Sequence, residues 1–181
     1  MRLLVLATTA LLSAAVNATP FVNAQIGVGS DKANKISFGY AVDKHALSLG
    51  YMATESDSDK TYTQGTSPFS EHYEAEAQFA VLDYEYTLGS FDGFDMMINA
   101  SFGLGNTDNK LIRTNMSSNE VISTDKSDHS ATYYGLFFGV SRTFESVDDL
   151  SIYGLVGVDS YDYEEFDSGG FSGSVGLRYR F

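Results

Sequence analysis

The chain has 181 residues, which is enough for one domain and hardly for two. It contains no Cys, so neither a disulfide framework nor a thiolate metal site can form. A formal net charge of -13 argues against a nucleic-acid partner, because phosphate binding needs a basic surface. Seventeen Gly and 14% aromatic residues, with only two Pro, favour strands over helices.

The first residues have the pattern of a secretory signal peptide. Arg2 supplies the positive charge, and an apolar stretch follows from Leu3 to Val16. This stretch is shorter than the roughly 20 residues of a membrane-spanning helix, so an N-terminal anchor is the weaker interpretation. We expect a signal peptide over residues 1–18, cleaved after Ala18. Cleavage after Ala24 would remove half of a predicted strand. The predicted domain therefore covers residues 19–181.

Eight segments of this domain alternate between larger apolar residues and smaller ones, as strands with two different faces do. The seventh, Leu150 to Asp159, is strand-like, but its faces stay open because Ile152, Val156 and Val158 compete with Tyr153 and Leu155. The other seven apolar rows, in chain order, lie within Val22–Val28, Ile36–Val42, Leu47–Tyr51, Ala80–Leu88, Met96–Leu104, Tyr134–Val140 and Phe171–Phe181.

The predicted connections alternate in length. The tight ones are Asp43-Lys44-His45, Ser90–Phe94 and Glu145–Asp149. The others are the short Ser30–Lys35, the long Thr54–Ala75 and Asn106–Ala131, and the intermediate Tyr161–Gly170. Eight strands of about nine to thirteen residues with this asymmetry predict an all-β fold, an eight-stranded antiparallel up-and-down transmembrane β-barrel. Both ends of an even-stranded barrel lie at the short-turn rim, which we expect to be periplasmic.

A soluble, lipocalin-like barrel would show the same alternation with its apolar rows turned inward. The second face separates the two interpretations. A solvated face carries Lys, Glu, Thr and Arg, whereas this one carries mainly Gly, Ser, Asn and Ala. Small residues fit the narrow lumen of an eight-stranded barrel, and aromatic and aliphatic rows fit lipid. The sequence therefore predicts that the apolar rows face a membrane.

The segment Val175-Gly176-Leu177-Arg178-Tyr179-Arg180-Phe181 is an alternating strand that ends in an aromatic residue. With the strand count and the loop asymmetry, it resembles the small outer-membrane β-barrels of Gram-negative bacteria of the OmpA/OmpX type. The resemblance implies export to the outer membrane, contact with outer-membrane lipid and lipopolysaccharide, and recognition of Tyr179 and Phe181 by the barrel-assembly machinery. Because the chain has no Trp, the interfacial girdle would consist of Tyr and Phe. Candidates are Tyr51, Tyr86, Tyr134, Phe144, Tyr153, Tyr179 and Phe181.

Four charged residues lie on the predicted lumen face: Asp83 and Glu85 on the fourth strand, and Arg178 and Arg180 on the eighth. These strands lie opposite each other in a small barrel. Glu85 and Arg178 are at matching depths if each lies three residues from its strand end, so we predict an ion pair across the lumen, bidentate where geometry permits. A structural polar core is the simpler interpretation, and a gate that opens by exchange of partners is the alternative.

The longer loops hold most of the charge: Thr54–Ala75, Asn106–Ala131 and Asp159–Gly170 contain fourteen acidic and four basic residues. The densest acidic run consists of Asp159, Asp162, Glu164, Glu165 and Asp167. It could attract cationic partners or divalent ions that bridge to lipopolysaccharide, but a solvated loop is the simpler interpretation. No ligand spacing matches a dedicated calcium loop, so we expect no metal site and no cofactor.

Catalysis is not expected. Asp128-His129-Ser130 has the residue types of a triad, but neighbours in an extended chain point to opposite faces. The leading hypothesis is a non-enzymatic surface protein that displays acidic loops for adhesion, interaction with an extracellular ligand, or envelope stabilisation. A narrow, porin-like channel for ions or small solutes and a lipid-modifying outer-membrane enzyme are the alternatives.

Overall fold

The computed structural model describes residues 18–28, 32–64, 67–144, 147–163 and 166–181. The expected signal peptide, except for Ala18, lies outside these residues. Eight antiparallel strands form one closed barrel in the order β1 to β8, and β8 pairs with β1. The strands are β1 Thr19–Val28, β2 Lys32–Val42, β3 His45–Gln64, β4 Ser67–Phe91, β5 Phe94–Asn115, β6 Glu120–Phe144, β7 Val147–Tyr163 and β8 Phe166–Arg180. The predicted fold class is confirmed.

One rim of the barrel, the short-turn rim, carries the tight connections. A turn at Asp43 and Lys44 joins β2 to β3, and a turn at Asp92 and Gly93 joins β4 to β5. Asp92 and Gly93 both have positive φ, at 51° and 78°, as a two-residue hairpin turn requires. The first residues of β1 and the last of β8 lie at this same rim, because Phe21 pairs with both Gly39 and Arg180.

The apolar rows face outward, as the sequence predicted. A representative row crosses four neighbouring strands through Leu49, Leu82, Phe102 and Tyr134, and each of these side chains is at least 40% exposed. The structure also assigns the faces of β7. Ile152, Val156 and Val158 are exposed, whereas Ser151, Tyr153 and Leu155 are buried in the lumen. The barrel therefore has an apolar outer wall, which is the reverse of a soluble barrel.

Tyr153 was predicted to belong to an interfacial girdle, and this prediction is wrong. Its side chain is 4% exposed because it occupies the lumen over Gly176, its neighbour on β8. A Cβ atom added at Gly176 would overlap the Tyr153 ring, so the glycine makes room for the aromatic. Tyr51, Tyr134, Phe144, Tyr179 and Phe181 do lie exposed on the outer side, and Tyr86 is half-buried.

The segments that were predicted to be long loops are strands, so that prediction is also wrong. β3 and β4 pair without interruption from His45↔Tyr86 to Gln64↔Ser67, and β5 and β6 pair up to Asn115↔Glu120. Strands of up to 25 residues result, rather than the predicted nine to thirteen. The alternation of apolar residues fades there because most residues of these strand ends are polar and the few apolar ones, such as Val121 and Ile122, are consecutive, although cross-strand pairing continues.

Candidate functional site

The lumen contains a bidentate ion pair between opposite walls. Arg178 of β8 donates from Nη1 to Glu85 Oε1 at 2.8 Å and from Nη2 to Glu85 Oε2 at 2.7 Å. The two side chains are only 7% and 10% exposed. Matching depth along the two strands does not explain the contact, because β4 continues to Phe91, six residues beyond Glu85. The two strands do lie on opposite sides of the closed ring.

Further contacts fix the guanidinium of Arg178. Its Nε donates to Asn23 Oδ1 at 2.9 Å, and Asn23 Nδ2 in turn donates to Ser37 Oγ at 3.3 Å. The guanidinium carbon lies 4.6 Å from the centre of the Phe21 ring and 5.5 Å from that of Tyr153. Such contacts with aromatic faces suit the planar, weakly hydrated guanidinium. Arg178 is therefore held by a carboxylate, an amide and two rings.

A second ion pair lies beside the first. Lys35 Nζ is 2.8 Å from Asp83 Oδ1, and both side chains are less than 10% exposed. Ser101 donates to the same Asp83 oxygen at 2.6 Å, and Ser48 lies 3.4 Å from the other. Four buried charges thus form two neutral pairs, which is how charge is tolerated away from water.

Arg180 does not join this network in the way the sequence suggested. Among the described residues it forms no ion pair with Asp83 or Glu85, and its half-buried side chain lies next to the short-turn rim. The ion-pair partner of Asp83 is Lys35, which was not among the predicted lumen charges. Period-2 alternation did place Lys35 on the lumen face of β2, opposite Ile36, so the sequence contained a signal for it that the prediction did not use.

In the part of the chain that the structure describes, the lumen is narrow at two levels. Around the charged network the free space is about 10 Å³, which is roughly the room that one water molecule needs. Toward the opposite rim, Phe79, Tyr133 and Tyr161 meet with ring centres 5.0 to 6.0 Å apart. We call these three residues the aromatic plug. All three are at most 4% exposed, so the plug separates the charged network from the far rim.

Beyond the plug, four strands continue past their neighbours. Among the described residues, β2 pairs with β3 as far as Lys32↔Glu55, and β7 pairs with β6 from Ala131↔Tyr163. Residues 55–64, 67–76, 108–115 and 120–128 of β3 to β6 therefore form a four-stranded sheet that projects from one side of the barrel, here called the outer extension. It replaces the long loops that the sequence predicted.

Acidic residues cross the base of the outer extension. Glu55, Glu76, Asp108 and Asp128 lie directly opposite one another on β3, β4, β5 and β6, and all are exposed. Like charges in neighbouring strands repel each other, by a few tenths of a kcal/mol to about 1 kcal/mol for each pair. The next row outward contains Lys110 and Lys126, which lie diagonally to these carboxylates.

A histidine lies among carboxylates further out on the same face. His72 Nδ1 is 2.7 Å from Asp59 Oδ1, and its Nε2 is 3.1 Å from Glu74 Oε1. Only an imidazolium can donate to both acceptors. The bond to Asp59, followed by that to Glu74, raises the pKa of His72 above 6.5, although desolvation opposes this shift. Lys110, 2.8 Å from Glu74, lowers the pKa of that carboxyl.

Of the predicted acidic run, the structure describes the side chains of Asp159 and Asp162, which lie on opposite faces of β7. Asp159 lies on the same face of β7 as the buried Tyr161, whereas Asp162 is exposed on the opposite face. Glu164 and Glu165 lie outside the described residues, as does the side chain of Asp167. Asp128 and Ser130 lie on one face of β6 and His129 lies on the other, together with Thr107 of β5, so these three residues are not brought together.

No model of a known protein family matches the chain, and no curated protein matches its sequence. Solved structures do match its fold. A major outer membrane protein from Thermus thermophilus aligns over 91% of this chain and 99% of its own, with a TM-score of 0.57 and 16% identity. The N-terminal β-barrel domain of Pseudomonas aeruginosa OprF aligns over 90% and 97%, with a TM-score of 0.47 and 15% identity. Ail, the attachment invasion locus protein of Yersinia pestis, aligns over 91% and 97%, with a TM-score of 0.48 and 8% identity.

At these identities the likeness concerns the fold alone, and the Thermus protein, the one of the three with a TM-score above 0.5, carries it. It agrees with the fold of the closed ring of antiparallel strands. The chain has the fold of the small eight-stranded outer-membrane β-barrels, as the sequence predicted.

Proposed function

We propose that this protein is a non-enzymatic outer-membrane barrel whose function is to hold the outer extension above the cell surface. The observation that carries the proposal is the combination of an apolar outer wall with a closed, charged interior. An apolar wall around a ring of fully paired strands suits lipid. Among the described residues, two ion pairs and the aromatic plug occupy the lumen, which favours a closed interior over a path for solutes.

The outer extension is the part of the protein that presents an exposed surface for contact with other molecules. Its strands lie beyond the rows of the apolar wall, and one face carries the four carboxylates of the base row. Its β3–β4 and β4–β5 pairing is continuous and its β5–β6 pairing has one register shift, between Arg113 and Thr114, so it presents a paired sheet rather than a set of loops. This supports adhesion, ligand contact or envelope stabilisation at the surface more than transport.

Orientation can be tested with a membrane-impermeant amine reagent on intact cells. Lys60 and Lys126 are exposed on the outer extension, whereas Lys44 is exposed in a turn at the short-turn rim. We expect labelling of Lys60 and Lys126 in intact cells and labelling of Lys44 only after the outer membrane is permeabilised. Lys35, which is buried against Asp83, serves as an internal control that stays unlabelled in the folded protein. Labelling of Lys44 alone in intact cells would reverse the orientation and refute the proposal.

The role of the outer extension is tested by replacing residues 57–74 and 110–126 with two-residue turns that keep the base row. The shortened protein should still fold and insert, because the barrel below keeps all its neighbour pairings. Whole-cell adhesion or ligand binding that depends on the protein should be lost. If such binding is unchanged in the shortened protein, the outer extension is not the functional part.

A further inference from the structure

On the basis of the proposed surface function, we propose that the free edge of β3 in the outer extension accepts an extended polypeptide with Lys or Arg at alternate positions as an additional strand. The proposal rests on two features of residues 57–63: the direction of their backbone groups and the charge of their side chains.

The backbone of this edge is available for pairing. Thr87 N donates to Lys44 O at 2.8 Å, which extends the His45↔Tyr86 register by one step. Even-numbered β3 residues therefore bond to β4, and odd-numbered ones point the other way. β2 pairs with that side only up to Glu55, and the described residues place no strand beside Asp57, Asp59, Thr61 and Thr63. Each of these four leaves an N–H and a C=O at the edge.

The acidic side chains along this edge favour a basic partner. The side chains of Glu55, Asp57 and Asp59 are exposed on one face of β3, two residues apart, so they form an acidic column. We expect an antiparallel strand, as β2 is on the same side of β3, so every second side chain lies on that face opposite this column and the same residues exchange the backbone hydrogen bonds. Basic residues at alternate positions would therefore meet Asp57 first and also Asp59, whose Oδ1 already bonds to His72, while backbone pairing supplies the rest of the contact.

The other edge of the outer extension is a weaker acceptor. Met116 N donates to Pro68 O, so even-numbered residues of β4 and β5 bond to each other. Odd-numbered β6 residues then bond to β5, and Thr124, Lys126 and Asp128 have free backbone groups. Lys126 lies on the same face of β6 as Asp128, so it would meet and repel the basic residues of an added strand, whereas Lys60 lies on the opposite face of β3 from Asp57 and Asp59.

The test uses the full chain refolded in a zwitterionic detergent and a labelled peptide of four Lys-Thr repeats, with affinity measured by fluorescence anisotropy at 150 mM salt. Its controls are a peptide of the same composition with four Lys followed by four Thr, and two alternating peptides that carry N-methyl groups on the Lys or on the Thr residues. We expect the block peptide and the N-methyl-Lys peptide to bind at least about tenfold more weakly, and the N-methyl-Thr peptide to bind normally.

Paired variants locate the site. Thr61→Pro removes a free-edge N–H without touching the β3–β4 pairing and should weaken binding at least about tenfold. Its match, Thr124→Pro on β6, should not. Asp57→Asn should weaken binding about two- to fivefold, whereas Asp128→Asn on the other edge should have no effect. Heat-dependent gel migration verifies that each variant is folded.

Several results would overturn the inference. If the block and alternating peptides bound equally well, the binding would be a general attraction between opposite charges and not strand addition. Loss on Thr124→Pro instead of Thr61→Pro would assign the contact to β6. Self-association of the protein that excludes the peptide would mean that a second copy occupies the edge. Absence of peptide binding in a protein that labels at Lys60 on intact cells would remove this inference and leave the proposed surface function standing.

Discussion

Arg178 and Glu85 are 93 residues apart in sequence and joined by two parallel hydrogen bonds across the lumen. The pair is deeply buried. The stability lost when one partner is removed should therefore exceed the net contribution of the intact pair to stability. Removal of one partner leaves the other charged and without compensation, whereas replacement of both by apolar residues can be nearly neutral.

Glu85→Ala should therefore lower the free energy of unfolding by about 3–5 kcal/mol. The double variant Glu85→Ala with Arg178→Met should recover much of that loss, because no charge is then stranded. Urea titration in lipid vesicles, followed by tyrosine fluorescence, measures both values. A single Glu85→Ala variant as stable as the unmodified protein would show that the pair does not bear on the fold.

The packing of the lumen leads to a prediction about ion conductance. With about 10 Å³ free around the charged network and the aromatic plug beyond it, the lumen should not conduct. We expect planar-bilayer recordings to match a protein-free bilayer between pH 5 and 8. The control is a variant that opens both layers, Tyr133→Ala and Tyr161→Ala with Glu85→Ala and Arg178→Ala, and it should conduct. Steady conductance by the unmodified protein would favour the channel alternative.

Gly176 is a sensitive position of the barrel wall. A Cβ at this position would overlap the Tyr153 ring, so Gly176→Ala should cost about 1–3 kcal/mol of stability. Gly170→Ala, on the same strand, meets no atom within 4 Å and should be nearly neutral. Tyr153→Leu added to Gly176→Ala should restore part of the loss. If Gly176→Ala and Gly170→Ala unfold at the same urea concentration, the contact between ring and glycine is unimportant.

The outer extension should depend on pH through His72 and Glu74. The pKa of His72 is raised by Asp59, so its stabilising effect is complete below the unfolded value near 6.5 and is lost as pH rises through the folded value. The pKa of Glu74 is lowered by Lys110, so its effect is present above the unfolded value and is lost as pH falls through the folded value. Local stability should therefore be greatest in mildly acid solution.

An NMR titration of the histidine side chains tests this. His72 should titrate above 6.5 in the unmodified protein, and the value should fall in Asp59→Asn, which keeps the shape of the contact but not its charge. Glu71→Gln is the matched control, because Glu71 pairs with Arg113 rather than with His72. A His72 value that does not change in Asp59→Asn would contradict the role assigned to the contact.

Alternation was sufficient to predict the barrel and its outer face because one face of each strand is apolar and the other small or polar. It failed where this contrast disappears. Tyr153 is aromatic yet faces the lumen, since Gly176 beside it leaves room that residue type alone does not reveal. The strand ends of the outer extension, such as Asp57 to Thr63, are polar on both faces, so only cross-strand partners identify them as strands.

In the lumen, too, the sequence predicted some features and missed others. Asp83, Glu85 and Arg178 could be placed inside from period-2 counting, but the partner of Asp83 depends on barrel tilt and register. Lys35, on β2, reaches Asp83 across a strand, and neither propensity nor spacing along the chain indicates that contact. The aromatic plug was missed because Phe79, Tyr133 and Tyr161 come from three different strands, and their contact depends on the register between those strands.

The central claim is that the apolar rows touch lipid while the outer extension is in water. Because the chain has no Cys, single cysteines can carry nitroxide labels without background. Labels at Leu82 and Leu136 on the wall and at Asp57 and Asp108 on the outer extension should be compared in lipid vesicles by their collision rates with oxygen and with a water-soluble nickel chelate. We predict frequent oxygen and rare nickel collisions at Leu82 and Leu136, and the opposite at Asp57 and Asp108. Nickel collisions as frequent at Leu82 as at Asp57 would contradict the account.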